Sequence, residues 1–512
     1  MAVTSPSEPQ PPILLPRTAV DPDGVAVRSN GLELSWEGLE HRGRRLANAI
    51  RSLGLGENDV VAILSPNRLE WAELALGNAR AGTRYVPLNW HCTVPELTAL
   101  LVDSGARLLI VDSAHLDAGR EAATASGVEH VIELGAEYDA WRDAASDDLL
   151  PEGRLGVALQ YTGGTTGPSR GVVRPDTHGT VSQYADLHGR WARLTGMPRE
   201  GHALLCTPAY HALGGAILRS ALVVGLPLTI LDKWDPEQVL RTIEDHCITA
   251  TAMVPTQFVR LLKLDTAIRD RYDLSSLQWV LHTAAPCPVW AKHEMIEWFG
   301  PVIVELYGSS EGAGPFICTS EEWLERPGTV GRPRGGMEVF IVGEAGEDLP
   351  PGEVGTIYVR RADGAPEYHG DPEKTAAMQL PDGRFTVGDL GWLDDDGYLF
   401  LADRRVDLVL TGGSNVYPAE IEAALSEHPS VGDVAAFGVP DPDLGQVVMA
   451  VVEPAPDREV DRAELTEHCR SRLASYKVPR YIEVVDTLPR EASGKLKKRL
   501  LREQYLGDAT RG

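Results

Sequence analysis

The chain has 512 residues, of which 43% are hydrophobic and 24% charged, and its formal net charge is −26. This length suits two or three domains, and this composition is that of a globular protein, which excludes disorder as the main state. The acidic excess argues against non-specific binding of nucleic acid or of anionic membranes, because both need a basic face.

Signals for export, membrane insertion and structural metal are absent from the sequence. No apolar run reaches the ~18 residues that a membrane-spanning helix needs. The proline-rich N-terminus lacks the basic start and apolar core of a signal peptide, so we expect a cytoplasmic protein. The six cysteines are scattered, without a Cys-x-x-Cys pair, which predicts reduced thiols rather than disulfides or zinc.

Helical and extended patterns alternate through the first 300 residues. Helices are predicted at 39–53, 70–80, 95–103 and 289–299, and strands at 60–64, 85–88, 107–111, 280–281 and 302–306. This alternation predicts a parallel sheet covered by helices. The longest apolar stretch, 220–231, contains Gly225 and Pro227 and is interpreted as a buried pair of strands.

The pattern changes after about residue 327. Short strands interrupted by Gly, Pro and Asp predict a β-rich subdomain, and the residues from 418 onward predict a compact α+β unit of about 100 residues. We therefore predict an α/β protein with a large N-terminal domain at 1–403, a hinge at 404–407 and a small C-terminal domain at 408–512.

The segment YTGGTTGPSRG at 161–171 is the strongest single functional signal. Its glycines allow backbone N–H groups to point inward, and its hydroxyls and Arg170 add donors, so the loop can wrap a polyphosphate. It is not a Walker A loop, because no Gly-Lys-Ser/Thr follows a glycine at the required spacing. The alternative is an ordinary flexible turn.

Two further segments offer groups that suit a nucleotide. ELYGSSEG at 305–312 follows a predicted strand, where open α/β sheets place ligands, and supplies Tyr307 as an aromatic face and Glu311 as a carboxylate for Mg²⁺. VGDLGW at 387–392 supplies Asp389, an acid able to accept from two ribose hydroxyls. Taken singly, each segment is also compatible with a polar turn.

Together these segments resemble the acyl-adenylate-forming superfamily of acyl-CoA synthetases, luciferases and peptide-synthetase adenylation domains. The resemblance spans nearly the whole chain. Its other segments are LSWEGL at 34–39, AGTRYVPL at 81–88, PAYH at 208–211, TAAP at 283–286, DRRVD at 403–407, GGSNVYPAEIE at 412–422, YKVP at 476–479 and PREASGK at 489–495. It implies an ATP-dependent acyl-CoA synthetase that forms acyl-AMP and pyrophosphate and then transfers the acyl group to CoA.

The resemblance also implies which residues bind ATP. The phosphate loop would hold the β- and γ-phosphates, Tyr307 would stack on adenine, Ser310 would touch the α-phosphate, and Asp389 with Arg404 would bind the ribose. The implied ATP-binding set is Thr162, Gly163, Gly164, Thr165, Thr166, Gly167, Arg170, Ala284, Ala285, Pro286, Tyr307, Gly308, Ser309, Ser310, Asp389, Arg404 and Lys495.

The implied catalytic residues are Lys495, Glu311, Arg170 and His211. Lys495 and Mg²⁺ held by Glu311 would offset the charge that builds when a carboxylate attacks the α-phosphate. On composition alone Lys495 is a solvated basic helix end, but the Ser-Gly before it matches the family pattern. His211 would gate the path between the acyl pocket and the thiol tunnel, or it is a structural histidine.

The acyl pocket and the CoA site follow from the same resemblance. The implied acyl pocket comprises Tyr210, His211, Ala284, Gly308 and Gly312, and the implied CoA-binding residues are Gly412, Gly413 and Lys477. One site must serve two reactions, and in this family the small C-terminal domain rotates on its hinge to exchange the lysine for the glycine-rich loop.

Three positions depart from the family pattern. In the phosphate loop, Gly163, Ser169 and Arg170 stand where the family has Ser, Pro and Lys, and the arginine keeps the charge with a different geometry. The hinge aspartate or lysine is replaced by Val406, and Thr283-Ala284 replaces a Gly-Gly pair.

The identity of the acid stays open between fatty, aryl and polycyclic carboxylates. The expected pocket lacks an acid to pair with an amino group, which disfavours amino acids, and the region of Trp290 and Trp298 resembles bacterial fatty-acid and bile-acid CoA ligases. The chain ends at Gly512 without a carrier domain, which favours free CoA. The alternatives are delivery of acyl-AMP to a separate carrier protein, or a lapsed nucleotide-binding protein. The oligomeric state also stays open, with a homodimer as one option.

Overall fold

The structure, a computed structural model, describes residues 14–162, 170–173, 179–309, 311–362, 364–368, 372–404, 407–411, 414–490 and 496–509. Helices and strands are numbered in chain order below. No helix in these ranges is both long and apolar enough to cross a membrane.

The largest sheet of the described residues joins a mostly parallel half to an antiparallel half. The parallel half runs in the order β2 (Leu32–Ser35), β1 (Val25–Ser29), β10 (Leu228–Ile230), β9 (Ala203–Leu205), β11 (Ala250–Met253), β12 (Trp279–His282) and β13 (Ile303–Tyr307). The antiparallel half continues with β14 (Phe316–Cys318), β15 (Thr329–Pro333), β20 (Leu399–Arg404), β19 (Asp389–Leu393), β17 (Gly355–Arg360) and β16 (Glu338–Val342). The inner parallel strands are almost wholly buried, as expected for a sheet covered on both faces.

Two smaller sheets complete the N-terminal domain. One is wholly parallel, in the order β4 (Arg84–Leu88), β3 (Val60–Leu64), β5 (Ala106–Asp112) and β6 (His130–Leu134). The other is antiparallel and contains β7 (Gln160–Thr162), β8 (Arg170–Val173) and β18 (Glu367–Tyr368). The predicted phosphate loop therefore connects two paired strands.

Helices cover the faces of these sheets. They are α1 (Trp36–Ser52), α2 (Glu70–Ala81), α3 (Val94–Ser104), α4 (Leu116–Ser126), α5 (Ala136–Asp143), α6 (Tyr184–Thr195), α7 (Ala212–Val224), α8 (Pro236–Asp245), α9 (Pro255–Leu262), α10 (Thr266–Arg269), α11 (Val289–Phe299), α12 (Ser320–Glu325) and α13 (Pro372–Ala377). The predicted helix at 39–53 is confirmed as α1, because the Ser35 hydroxyl accepts from the Gly38 N–H at its start and its apolar residues point into the core.

The C-terminal residues form a separate α+β unit. Its sheet contains β21 (Val409–Thr411), β22 (Ser414–Val416), β23 (Val431–Asp441), β24 (Gly445–Pro454) and β25 (Tyr481–Val484), and its helices are α14 (Pro418–Ser426), α15 (Arg462–Arg470) and α16 (Lys498–Ala509). It touches the N-terminal domain where Lys263 Nζ donates to the Val431 carbonyl at 2.6 Å and Trp290 Nε1 donates to the Ser426 hydroxyl at 3.1 Å. The predicted α/β fold with a small α+β C-terminal unit is confirmed, whereas the exact hinge position stays a prediction.

One predicted element is wrong. Residues 220–224 are the last turn of α7 and not the first strand of a pair. Gly225 ends that helix with φ of +88°, a conformation that favours glycine, and the following strand β10 begins at Leu228. The stretch is apolar throughout because α7 is buried among neighbouring elements, and such a helix cannot be told from a strand by periodicity.

Candidate active site

A cleft of about 2320 Å³ opens at the carboxyl edge of the parallel strands, and the C-terminal unit forms its far side. The segments that follow β9, β11, β12 and β13 all line it, because these four strands are parallel neighbours in the sheet. This edge is where open α/β sheets bind ligands. Of the predicted site residues, the lining includes Tyr210, His211, Ala284, Ala285, Pro286, Tyr307, Gly308, Ser309, Glu311, Gly312 and Asp389.

Tyr307 and Asp389 meet in the cleft although they are far apart in sequence. Tyr307 ends β13 and Asp389 begins β19, and the Tyr307 hydroxyl donates to Asp389 Oδ2 at 2.6 Å. Asp389 is buried, while Tyr307 is half-buried against Phe316. The hydrogen bond fixes the tyrosine ring beside a carboxylate, an arrangement that suits a base stacked on the ring and a ribose held by the acid.

The loop after Tyr307 is held as a closed turn. The Ser309 N–H donates to the Ala313 carbonyl at 3.1 Å, and the Ala313 N–H donates to the Ser309 hydroxyl at 3.2 Å. Gly314 crosses so closely over the start of the loop that an added Cβ would lie 2.7 Å from the Gly308 Cα. This packing presents Glu311 to the cleft on a defined turn.

Ala284 has an unusual backbone conformation in the cleft wall. Its φ is +80°, in the left-handed region that is unfavourable by about 1 kcal/mol for an alanine. The family pattern has glycine at this position, and glycine adopts this conformation without strain. The Ala284 methyl group therefore adds bulk to the cleft wall. The neighbouring Ala285 and Pro286 line the same wall.

His211 lies at the entrance of α7, in a segment fixed by Asn67. The Asn67 amide donates to the carbonyls of Thr207 and Leu231 at 3.0 and 2.9 Å, and its oxygen accepts from the Ala209 N–H at 2.7 Å. The His211 ring lies 4.3 Å from the Tyr210 ring, and its buried Nε2 has no hydrogen-bond partner among the described residues. Asn67 was not predicted, since nothing in its local sequence marks it.

Burial, with a smaller contribution from His91, lowers the pKa of His211 to about 4. The imidazole is therefore neutral at physiological pH, which suits a gate that swings through an apolar path better than a cationic binding group.

Buried neutral histidines make the fold sensitive to mild acid. Burial first, and then the charges of Arg28 and His246, lower the pKa of His202 to about 4, and burial holds the pKa of His282 well below its usual value. Because the unfolded chain binds protons near pH 6.5 and the folded chain does not, stability present above that pH is lost as pH falls toward 4. We expect His202 alone to lower the free energy of unfolding by roughly 2 kcal/mol between pH 7.5 and 5, with His282 acting in the same direction.

Urea unfolding monitored at several pH values tests this expectation. His202→Gln keeps a group that can bond the Thr229 hydroxyl, which His202 contacts at 3.0 Å, and should reduce the acid-dependent loss by the share of one histidine. A free energy of unfolding that stays constant from pH 7.5 to 5 would contradict the expectation.

Several predicted residues lie outside the described ranges or have side chains outside them. Residues 163–169 of the phosphate loop, Ser310, Val406, Gly412, Gly413 and Lys495 are not described. Thr162 and Arg170 are register partners across the β7–β8 hairpin, and Arg404 is the register partner of Asp389, which concerns their backbones alone. Their roles stay predictions.

The residues that follow Lys495 face the N-terminal domain across the cleft. Leu496 and Lys497 are part of the lining. The pKa of Glu96, on α3, is lowered by hydrogen bonds from Thr93 and also by the charges of Lys497 and Arg499. In contrast, Lys477 pairs with Glu420 at 2.7 Å and does not line the cleft in this arrangement.

The acidic excess of the chain does not extend into the cleft. The described lining carries ten Lys or Arg residues and nine Asp or Glu residues, whereas the whole chain has 48 and 74. Local cations therefore offset the overall field where polyphosphate would bind.

Two groups of residues in or beside the cleft were not predicted. Arg219, on α7, donates to the Tyr85 hydroxyl at 2.7 Å, and both line the cleft. Beneath the Tyr307 strand, the fully buried Lys292 pairs with Glu305 at 2.5 Å. The partners are 134 and 13 residues apart and lie on different elements, so no local pattern signals either pair. Conversely, Trp290 and Trp298, which suggested bulky acids, do not line the described cleft.

Comparison with known proteins gives matches along nearly the whole chain. The model of the AMP-binding enzyme family matches residues 16–369, and that of the AMP-binding enzyme C-terminal domain matches residues 420–495. A feruloyl-CoA synthase from Amycolatopsis sp is 36% identical over 500 residues, covering 96% of this chain and 97% of the relative. The fatty acid–[acyl-carrier-protein] ligase ScoC from Streptomyces coeruleorubidus is 31% identical over 502 residues, covering 96% and 95%. The crystal structure of the anthranilate CoA ligase AuaEII in complex with anthranoyl-AMP aligns with a TM-score of 0.87 at 25% identity over 97% of both chains.

Proposed function

Since this chain belongs to the AMP-binding enzyme family, in its acyl-CoA ligase branch, we propose that it activates a lipophilic, aromatic carboxylic acid with ATP and transfers the acyl group to CoA. The observation that carries the proposal is the cleft in which the Tyr307–Asp389 pair, His211 and the segment directly after Lys495 come together. The similar proteins support the reaction class, an acid–thiol ligase. The aromatic nature of the acid is the part of the proposal that goes beyond this class.

In the first half-reaction, a carboxylate oxygen of the acid attacks the α-phosphorus of ATP and the bond to pyrophosphate breaks. We assign the adenine to the face of Tyr307 and the ribose hydroxyls to Asp389, since their hydrogen bond fixes both groups before ATP binds. The hairpin β7–β8 would bring the phosphate loop and Arg170 to the β- and γ-phosphates.

Magnesium fits this donor set as an ion shared between protein and substrate. Glu311 lines the cleft, and no group of three or more potential metal ligands occurs among the described residues, so Glu311 would hold Mg²⁺ together with phosphate oxygens and water. The ion would supply charge neutralisation at the phosphates.

In the second half-reaction, the thiol sulfur of CoA attacks the acyl carbonyl, AMP leaves and a thioester forms. We propose that the unit at 408–512 rotates about residues 404–407 between the two steps. Among the described residues, hydrogen bonds from Lys263 and Trp290 join the two units, and surface contacts of this kind are compatible with such a movement.

Aromatic acids are favoured by the walls of the acyl pocket and by two of the similar proteins. Tyr184, Trp191 and Tyr210 line the cleft, and we assign them to its acyl-binding part. The feruloyl-CoA synthase and the anthranilate CoA ligase are both named for aromatic acids, whereas ScoC is named for a fatty acid and a carrier protein. Delivery to a carrier protein is therefore the second candidate.

A pyrophosphate-release assay with aryl, fatty and polycyclic acids, with and without CoA, tests the proposal. We expect aryl acids to give the highest kcat/KM and CoA to be required for multiple turnovers, with the thioester identified by mass spectrometry. Pyrophosphate release without a thioester would favour the carrier-protein candidate. A folded protein that releases no pyrophosphate with any acid would contradict catalysis altogether.

A further inference from the structure

Arg219 is a cation in the wall of the acyl pocket that the catalytic steps do not use. It projects from α7, and one nitrogen of its guanidinium group donates to the Tyr85 hydroxyl on β4 at 2.7 Å. Both side chains line the cleft. The guanidinium carries five N–H donors in a planar fork, so one phenolic oxygen accepts only a part of its capacity.

The surroundings of Arg219 do not neutralise its charge. Among the described residues it has no carboxylate within ion-pair distance, and its guanidinium donates to the Tyr85 hydroxyl. Tyr184 and His188, on α6, face it as well. Burial raises the pKa of Tyr184, and burial together with Arg219 lowers that of His188, so both neighbours are neutral at physiological pH. A partly buried arginine without an anion is uncommon and points to a ligand group that completes it.

The position of the guanidinium along α7 fixes its distance from the reacting end. His211 lies at the start of the helix, and Arg219 follows eight residues later. Its side chain folds back toward the N-terminus, so that a Cβ added to Gly215 would lie 2.9 Å from the Arg219 Nη1. Gly215 thus provides the space for the group, about 6 Å along the helix axis from His211, since four residues rise 1.5 Å each.

Apolar residues of both helices line the cleft that His211 and Arg219 also line. They are Leu213 and Ala216 on α7, and Leu187 and Trp191 on α6. An acyl group that enters past His211 would therefore meet aliphatic and aromatic walls first and a forked donor at its far end. This is the length of an acid built on one aromatic ring, with or without a short spacer.

We propose that Arg219, oriented by the Tyr85 hydroxyl, binds an acceptor oxygen at the far end of the acyl group, so that the preferred acids are aromatic acids with a para phenolic hydroxyl or a second carboxylate. The inference rests on the proposed function and names its substrate class. A purely apolar acid has no oxygen to accept from the partly buried guanidinium. It would leave those donors unpaired, so we expect the enzyme to discriminate against it.

The test compares kcat/KM for matched acids on benzoate and cinnamate skeletons, carrying para-methyl, para-hydroxyl or para-carboxyl groups. The parent enzyme should prefer a hydroxyl or carboxyl acid to the methyl acid by roughly 10- to 100-fold. The para group that gives the higher kcat/KM shows whether Arg219 binds a hydroxyl or a carboxylate. The preferred skeleton, benzoate or cinnamate, indicates the distance from the reacting carboxylate to Arg219. A parent enzyme that prefers the methyl acids would overturn the inference without reference to any variant.

Arg219→Met keeps the length of the side chain and removes its donors, and we expect it to remove that preference while activity on the methyl acids survives. Tyr85→Phe should weaken the preference in the same direction, because the guanidinium loses its anchor. Arg193→Met is the matched control: Arg193 lies on α6, its side chain is 50% exposed and it pairs with Asp186, so its selectivity should equal that of the parent.

The outcomes separate this inference from the proposed function. Thioester formation with an unchanged selectivity ratio in Arg219→Met would overturn the role of Arg219 and leave the ligase reaction standing. Absence of thioester from every acid, in a parent enzyme that is folded by circular dichroism, would instead contradict the proposed function.

Discussion

Replacing Lys495 with alanine should lower the rate of acyl-adenylate formation by at least ~100-fold while transfer from a preformed adenylate to CoA is largely preserved. When a carboxylate attacks the α-phosphate, two anions approach and charge develops on the phosphoryl and pyrophosphate oxygens. An ammonium group held at that position stabilises the charge where it forms. The second half-reaction has a neutral acyl carbonyl as its centre and an AMP leaving group, and it does not need the lysine.

Two assays separate the half-reactions for this variant. Pyrophosphate release from acid and ATP reports the first, and thioester formation from a synthetic acyl-AMP and CoA reports the second. Lys497→Ala is the matched control, because Lys497 lies two residues further on and lines the mouth of the cleft near Glu96. It should lower the adenylation rate far less than Lys495→Ala does. Equal loss of both half-reactions in Lys495→Ala would remove the role assigned to this lysine.

Replacing Lys292 with methionine should lower the free energy of unfolding by about 3–5 kcal/mol. The Lys292 side chain is fully buried on α11, its Nζ lies 2.5 Å from Glu305 Oε2, and the ammonium lies 5.0 Å from the centre of the Trp323 ring. Removing the ammonium leaves the Glu305 carboxylate buried without its partner, and an uncompensated buried charge is far more unfavourable than the loss of an exposed ion pair.

The position of Glu305 connects this stability effect to the site. Glu305 lies on β13 two residues before Tyr307, and it lines the cleft. We therefore expect Lys292→Met to raise the KM for ATP as well, since a displaced Glu305 disturbs the end of the strand that positions the Tyr307 ring.

Urea unfolding of three variants tests the stability effect. The double variant Lys292→Met, Glu305→Leu should be more stable than Lys292→Met alone, because no buried charge remains unpaired. Arg360→Met serves as the control for an exposed pair, since the Arg360 and Glu338 side chains are 42% and 57% exposed, and its stability should stay close to that of the parent. Parental stability of Lys292→Met would show that the pair contributes nothing.

Elements with a clear local pattern could be predicted from the sequence. Helix α1 has a regular apolar stripe and β3 is a short apolar run between polar turns, so both were predicted, although α1 begins three residues earlier than the predicted 39–53. The end of α7 could not be predicted, because residues 221–224 are all apolar and no periodicity remains to distinguish a buried helix from a strand.

The parts of the site that are contiguous in sequence could also be predicted. The segments around Tyr307 and Asp389 carry their chemistry within a few residues, and together they identify the family. Their hydrogen bond, however, joins strands 82 residues apart and depends on how β13 and the antiparallel half of the sheet come together.

The sequence by itself determined the fold class and the family and predicted the nucleotide-binding segments, because these depend on short-range patterns of residue type. Only the tertiary structure decided the Tyr85–Arg219 pair, 134 residues apart, and the Lys292–Glu305 pair beneath the Tyr307 strand. The physical reason is that the role of a charge in a protein interior depends on the groups that surround it. Here the packing of α6, α7, α11 and the sheets brings those groups together, and the order of residues along the chain does not show it.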